Sequence, residues 1–348
     1  MKTKKNRNDI LMVYVLFSTF AKRDYFILKK KYNVTLYHFN TTKKYYLPYA
    51  FIKQFLFLLF NTHKYKTIVT QSSGYLSFLP VIFGKIFKKN VVIIAIGTDC
   101  AKLPEINYGS HSKKLQGWFT NFSFKNASLI ATVHKSLEKT LYTYDKVIYP
   151  DQGIRSFNKN INTKITEVVY GYDTEKWQII NPNDRIKNSF LTVTVPIDKV
   201  GYYRKGIDLI VNLSKIFTNY QFTIVGKVYL EEKCPENITI INNVPQEELI
   251  KIYNKHEFYF QLSMFEGFPN TLCEAMLCGC IPIGSDVAGI PDIIGNSGYI
   301  LKEKNIKLLE EIVLGLNKNT IMPEQARNQI KDNFPLERRE KELLNCIA

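Results

Sequence analysis

Short, continuous apolar runs alternate with amphipathic stretches along this chain, and the alternation halts near residue 180 and then starts again. In the first half the apolar runs fall at 10–15, 34–39, 67–71, 91–96, 129–133 and 147–149. They are unbroken rather than apolar at every second position, the pattern of parallel strands covered by helices on both faces. Helical spacing lies between them, at 25–31, 48–60, 76–87, 113–124 and 137–144, so this half reads as a doubly wound α/β sheet. The polar, Asn- and Lys-rich segment 152–164 reads as a surface loop, and Val168, Val169 and Tyr170 as a short last strand. Asn181-Pro182-Asn183-Asp184 has turn chemistry and marks a linker. Beyond it, strands are expected at 191–195, 221–225, 238–241, 257–262 and 281–284, and helices at 206–216, 246–254, 271–278 and 334–347.

A restart of this kind predicts two domains, and 348 residues suffice for two cores of ordinary size. Hydrophobic residues at 45% and charged residues at 22% exclude a disordered chain. The longest apolar window, 46–60, is interrupted by Lys53 and is shorter than the ~20 residues that cross a bilayer. No secretory signal is seen at the basic, polar start, so a cytoplasmic protein is expected. The six cysteines include no Cys-x-x-Cys pair and the five histidines are scattered, so buried reduced thiols and no metal site are expected. Charge is lopsided: residues 1–180 hold 28 Lys and Arg against 10 Asp and Glu. Such asymmetry points the first half at an anionic surface, either membrane or nucleic acid.

Chemistry concentrates in residues 263–294, which read SMFEGFPNTLCEAMLCGCIPIGSDVAGIPDII. A strand ends at Leu262, and Asn270 is placed to cap a helix starting near Thr271. The amino end of that helix would face the loop, a ready site for a diphosphate. Glu266 in the loop and Glu274 inside the helix can point into one cleft, where carboxylates suit the vicinal hydroxyls of a sugar. The same spacing also fits a capping glutamate plus a solvated one.

The string resembles the donor-binding segment of retaining, group 1 glycosyltransferases of the GT-B fold (glycosyltransferase family 4-like). Their signature is carried here by Glu266-Gly267-Phe268-Pro269, Glu274-Ala275-Met276, Gly279 and Pro282. The resemblance implies that Glu274 binds the nucleotide ribose and Glu266 a hydroxyl of the donor sugar near the reacting carbon. It also puts Gly267, Phe268 and the backbone of Asn270, Thr271 and Leu272 around the donor. Arg204-Lys205-Gly206-Ile207-Asp208-Leu209 is similar to the family's K-G-x-x-x-L segment, where cations neutralise the departing diphosphate. Lys205 matches; the second cation is either Arg204 or Lys199. Ile224-Val225-Gly226 and Asn243-Val244-Pro245 look like the family's base-side segments, with Gly226 and Val244 at the donor. Tyr170-Gly171-Tyr172-Asp173 and Trp177 resemble the turn ending the first domain.

Two departures stand out. Residues 16–23 lack the glycines common after the family's first strand, and Ile96 stands where many relatives have a cleft histidine. Asp99 is a substitute catalytic group or a turn aspartate. His134, at a strand end, is a donor-site residue or a satisfied buried histidine.

The expectation is an α/β chain of two Rossmann-like domains facing across a cleft. Residues 1–178 would bind the acceptor and 179–333 the donor, with a terminal helix, 334–348, packing back on the first domain. The resemblance implies retaining, metal-independent transfer with no cofactor, the nucleotide sugar being substrate. The acceptor would be a glycan or lipid-linked glycan, in bacterial cell-surface polysaccharide, lipopolysaccharide or glycolipid synthesis. The enzyme would sit peripherally at the inner face of the cell membrane. Tyr45, Tyr46, Tyr49, Phe51, Phe55 and Phe57 beside Lys43, Lys44 and Lys53 suit a helix lying on an anionic membrane, or else a core helix with solvated ends. Two rivals remain: a nucleotide-sugar 2-epimerase on the same architecture, and a nucleic-acid-binding protein. No recognised nucleic-acid module is present, so no nucleic acid partner is expected.

Overall fold

In this computed structural model residues 9–41, 44–194, 198–227, 233–316 and 321–347 are described. The first apolar run forms β1 (Asp9–Tyr14), whose residues Ile10 to Val13 are at most 1% exposed, as a strand buried on both faces requires. The chain continues through α1 (Thr19–Lys29), β2 (Asn33–His38), α2 (Leu47–Asn61), β3 (Thr67–Gln71), α3 (Tyr75–Ile86), β4 (Asn90–Ala95), α4 (Lys114–Asn126) and β5 (Leu129–Thr132). A short antiparallel ribbon follows, β6 (Thr140–Leu141) with β7 (Asp151–Gln152), then a single turn α5 (Ile154–Phe157), and β8 (Lys164–Glu167) completes the sheet. The six long strands are parallel in the order β2-β1-β3-β4-β5-β8. The winding direction therefore reverses beside β1, opening a crevice at the carboxyl ends of β1 and β3.

The second sheet repeats the plan. Its elements run β9 (Ile186–Val193), α6 (Lys199–Arg204), α7 (Ile207–Ile216), β10 (Gln221–Val225), β11 (Ile238–Ile241), α8 (Gln246–Lys255), β12 (His256–Gln261), α9 (Asn270–Leu277), β13 (Ile281–Ser285), α10 (Ile290–Ile294) and β14 (Tyr299–Leu301). Then come α11 (Ile306–Gly315), α12 (Pro323–Asn333) and α13 (Leu336–Ile347). These strands are also parallel, ordered β11-β10-β9-β12-β13-β14, and this sheet reverses between β9 and β12. Asn181 to Asp184 form an exposed turn between the two sheets.

The terminal helix α13 packs on α1, far away in sequence. Arg339 and Asp24 lock that contact, and both side chains are 0% exposed. Arg339 Nε and Nη2 donate to the two carboxylate oxygens at 3.0 and 2.8 Å. Its Nη1 donates to the Val168 carbonyl, its guanidinium lies 4.9 Å from the Tyr170 ring centre, and Gln71 adds a donor to Asp24 at 2.8 Å. A buried ion pair is tolerated when its remaining hydrogen-bonding capacity is met in this way.

Several expectations need correction. Residues 147–149 are not a strand: Ile148 and Tyr149 are exposed, Pro150 follows, and β8 takes the edge beside β5. Residues 137–144 are not a helix but a 3₁₀ turn leading into β6. The last strand precedes Val168–Tyr170, and the Val168 and Val169 carbonyls accept from Arg339 instead. The 152–164 loop contains α5 and buries Gln152 and Ile154. Val195 and Lys43 lie outside the described residues. Elements α10 to α12 and β14 have no distinct pattern in the sequence.

Candidate active site

The two switch points face each other, and between them lies a cleft of about 430 Å³. Ser18, Thr19, Thr98 and Tyr108 line it from the first domain; Thr194, Lys205, Gln261, Glu266, Asn270 and Thr271 line it from the second. Gln261 ends β12 and the others lie beyond the carboxyl ends of strands, where ligands of open α/β sheets bind.

Glu266 is the centre of charge. Gly206 adopts a left-handed conformation, φ +72°, and a Cβ there would come within 2.5 Å of Leu262. Glycine thus lets the α6–α7 turn close onto the loop after β12, and Met264 N–H donates to the Arg204 carbonyl at 2.7 Å. The closure sets the Lys205 Nζ on Glu266 Oε1, with Arg204 Nη1 at 4.0 Å from the same oxygen. Burial alone would raise the Glu266 pKa, but the Lys205 charge, followed by that of Arg204, holds it below the usual carboxylate range. Lys199 is exposed at the start of α6, so the geometry puts Arg204, not Lys199, beside Lys205 and Glu266. A cation pair around one carboxylate, next to the amino end of α9, is equipped to hold a phosphate and a sugar hydroxyl together.

The domains meet backbone to backbone at this point. A Cβ on Gly267 would lie 2.3 Å from the Ile96 carbonyl oxygen, and one on Gly97 2.9 Å from the Gly267 nitrogen. Any side chain at Gly267 would push the loop after β4 away from Glu266.

The other residues singled out from the sequence are placed unevenly. Asn270 is the first residue of α9 rather than its cap; its Oδ1 accepts from the Tyr172 hydroxyl at 2.9 Å, and Pro269 precedes the helix. Thr271 faces the cleft, while Leu272 is fully buried and offers only its backbone. Phe268 borders the cleft with one edge and otherwise packs among Tyr170, Tyr172 and Phe334. Glu274 sits buried within α9, 3.4 Å from the Tyr253 hydroxyl, and burial pushes its pKa up to about 7. Gly226, φ +132°, lets β10 close on the Thr194 carbonyl. Val244 is half-buried in the loop before α8 and is not part of the cleft wall.

Asp99 and His134 are both engaged by contacts within the protein. Asp99 is fully buried and its carboxylate accepts from Ser73 N–H at 2.9 Å, Gly97 N–H at 3.0 Å, and Ile96 N–H and the Ser72 hydroxyl at 3.1 Å. It ties two loops together and is not among the residues lining the cleft. His134 Nδ1 accepts from Ser136 N–H, leaving Nε2 to donate to Asp292 at 3.2 Å. Burial lowers its pKa, so a neutral imidazole bridges the first domain to α10.

Sequence reasoning missed three residues. Tyr108 and Thr98 share a 3.0 Å hydroxyl contact in the cleft, with the Arg204 guanidinium 4.9 Å from the Tyr108 ring. Arg23 of α1 stacks 4.8 Å from the Tyr172 ring, and its Nη1 is buried with no partner among the described residues. No pattern in the sequence marks these residues, because they come together only when α1, the 97–112 loop and α6 are packed.

Two parallel, doubly wound sheets facing across a shared cleft, with the cationic and acidic groups on the second, define the GT-B architecture. Residues 195–333, most of the second domain, match the family model of glycosyl transferases group 1. The whole chain is similar to the sucrose-phosphate synthase of Thermosynechococcus elongatus, with TM-score 0.73, 12% identity and coverage of 97% and 98% of the two chains. It is similar also to Anabaena Alr3699/HepE in complex with UDP-glucose, with TM-score 0.71, 11% identity and the same coverage. Among curated sequences, the phosphatidylinositol N-acetylglucosaminyltransferase GPI3 subunit of Saccharomyces cerevisiae is 21% identical over 303 residues, 80% of this chain and 63% of that protein. This chain spans 34% to 63% of the length of the curated phosphatidylinositol N-acetylglucosaminyltransferase relatives it matches.

Proposed function

We propose that this chain transfers a sugar, with retention, from a nucleoside diphosphate sugar to an acceptor hydroxyl carried by a lipid-linked glycan. The observation that carries the reading is the Lys205–Glu266–Arg204 cluster beside the amino end of α9. When the anomeric carbon–oxygen bond breaks, charge grows on the departing diphosphate, and Lys205, Arg204 and the α9 amides are already in place to stabilise it. No metal is needed for that step in this reading, since two side-chain cations do the neutralising. Glu266 accepts from a sugar hydroxyl and Glu274 from the ribose. Thr98 and Tyr108, on the opposite wall, are placed to orient the acceptor hydroxyl that forms the new bond. UDP is the favoured nucleotide, because the similar HepE structure is a complex with UDP-glucose.

The partner surface is an anionic membrane, in the synthesis of bacterial cell-surface polysaccharide or lipopolysaccharide at the inner face. Between Asp24 and Asp99 the sequence has no acidic residue, and the outward faces of α2 and α4 leave Tyr49, Ile52, Phe55, Phe60, Leu115 and Trp118 exposed. Helix α2 packs Ala50, Phe51, Gln54, Phe57 and Leu58 toward the core and leaves a second apolar strip, with Tyr49, Ile52 and Phe60, on its outer side. Among the described residues no helix is long and apolar enough to cross a membrane.

The test is binding and turnover together. UDP should bind wild type and bind Lys205→Ala at least tenfold more weakly, since hydrogen bonds to charged groups contribute about 1.5–3 kcal/mol. Release of UDP from a UDP-sugar should require an acceptor; acceptor-independent turnover would favour the epimerase, and unchanged UDP binding in Lys205→Ala would remove the site.

A further inference from the structure

The cleft is not the only concave surface. A groove of about 750 Å³ lies on the other side of the 97–112 loop, entirely within the first domain. Helix α4 forms one wall with Lys114, Gly117, Trp118 and Asn121, which share one helical face at spacings of three and four. Gly117 has no side chain to fill the space, and a Cβ there would touch only His111 and Ser110 at 3.4–3.5 Å. Lys102 faces α4 from the loop, its Nζ 3.4 Å from the centre of the Tyr149 ring. Neither lysine pairs with a carboxylate among the described residues, although Asp151 stands at the rim. His111 stacks on Phe157 with centroids 4.5 Å apart, and its Nε2 is buried without a partner among the described residues. An uncommitted buried nitrogen costs free energy until some group bonds to it.

These features describe a ligand with two kinds of surface. Two lysines free of carboxylate partners call for an anion, and the half-exposed Trp118 ring, backed by Phe122, offers a flat apolar surface with a polar edge on the groove wall. His111, kept neutral because burial pushes its pKa down to about 4, can receive a hydroxyl hydrogen. We infer that this groove is a second binding site, for a saccharide phosphate whose phosphate lies between Lys102 and Lys114 and whose ring lies on Trp118. The inference rests on the glycosyltransferase reading, because the occupant is taken as the phosphate-bearing part of the acceptor beyond the reacting sugar. The placement fits: Thr98 and Tyr108 of the same loop face the cleft while Lys102 and His111 face the groove, so one chain can pass from one to the other. Helix α4 also carries exposed Leu115 next to the groove, on the surface assigned above to the proposed membrane contact.

Trp118 is the natural probe. The sequence has two tryptophans, and the other, Trp177, is 3% exposed. With the cleft filled by UDP, glucose 1-phosphate should change Trp118 fluorescence saturably and bind at least tenfold more tightly than methyl glucoside or inorganic phosphate. The double variant Lys102→Ala, Lys114→Ala should weaken that binding tenfold or more. Isothermal titration of Trp118→Phe keeps a heat of binding if the ring only reports, and loses most of it if the ring stacks, as expected. Phosphatidylcholine vesicles bearing a polyprenyl glucosyl phosphate distinguish the sources: tighter binding than glucose 1-phosphate assigns a membrane-borne acceptor, equal binding a soluble one. Inorganic phosphate binding as tightly as glucose 1-phosphate, or a double variant indistinguishable from wild type, would overturn the site. Loss of UDP binding in wild type would instead remove the underlying glycosyltransferase reading.

Discussion

Replacing Arg339 by methionine keeps most of the side-chain volume of α13 and deletes its charge. Asp24 would then remain 0% exposed, with Gln71 Nε2 as its one remaining side-chain donor at 2.8 Å. The Val168 carbonyl would lose its guanidinium donor at the same time. Breaking a buried pair from one side costs about 3–5 kcal/mol, since the surviving charge has no compensation. In a domain of this size each kcal/mol corresponds to roughly 2–4 °C, so a fall in Tm of about 6–20 °C is expected for the first domain. Adding Asp24→Asn in the same chain removes the stranded charge and should recover at least half of that loss. Differential scanning calorimetry of wild type, both single variants and the double variant closes the cycle. A shift below about 2 °C for Arg339→Met, or a double variant no more stable than the single, would refute the argument that this pair holds α13 to α1.

Other outcomes follow from the same geometry. Because burial raises the Glu274 pKa from 4.5 to about 7, the folded chain keeps a proton that the unfolded chain has released between those values. Stability should therefore fall as pH rises through that window, by about 1.4 kcal/mol per unit, and Glu274→Gln should flatten the slope; parallel urea-denaturation curves from pH 5 to 8 would contradict this. Asp292 bridges His134 and Lys135 across the domains, at 3.2 and 2.7 Å, from a half-exposed position. Its removal should cost about 1 kcal/mol of closure, a roughly fivefold change in population, visible as a larger radius of gyration in solution scattering; an unchanged radius refutes the clasp. Tyr49→Ser, Ile52→Ser and Phe60→Ser together should cut sedimentation with anionic liposomes at least tenfold without lowering Tm, because the three side chains are exposed. Wild-type binding should fade as salt passes ~0.3 M, and equal binding to neutral liposomes would end the idea.

Much of this protein is local in origin and could be read from the chain. Continuous apolar runs announce parallel buried strands, so the two sheets and their interruption near Asn181–Asp184 were visible. The string from Glu266 to Pro282 is contiguous, and α9 forms within a residue of its expected start. Tertiary packing decided the rest. Strand order depends on which helix covers which face, and the run 147–149 lost its place as a strand because β8 occupies the edge of the sheet. Asp99 and His134 each had two readings in the sequence, and only packing shows a carboxylate surrounded by backbone N–H groups and a buried imidazole facing Asp292. The choice of Arg204 over Lys199 turned on Gly206 bending one turn onto Leu262, a matter of a few ångströms that no spacing records. Arg23, Tyr108 and the Lys102–Lys114 groove join residues from separate elements, and only the folded chain brings such distant positions within reach of one ligand.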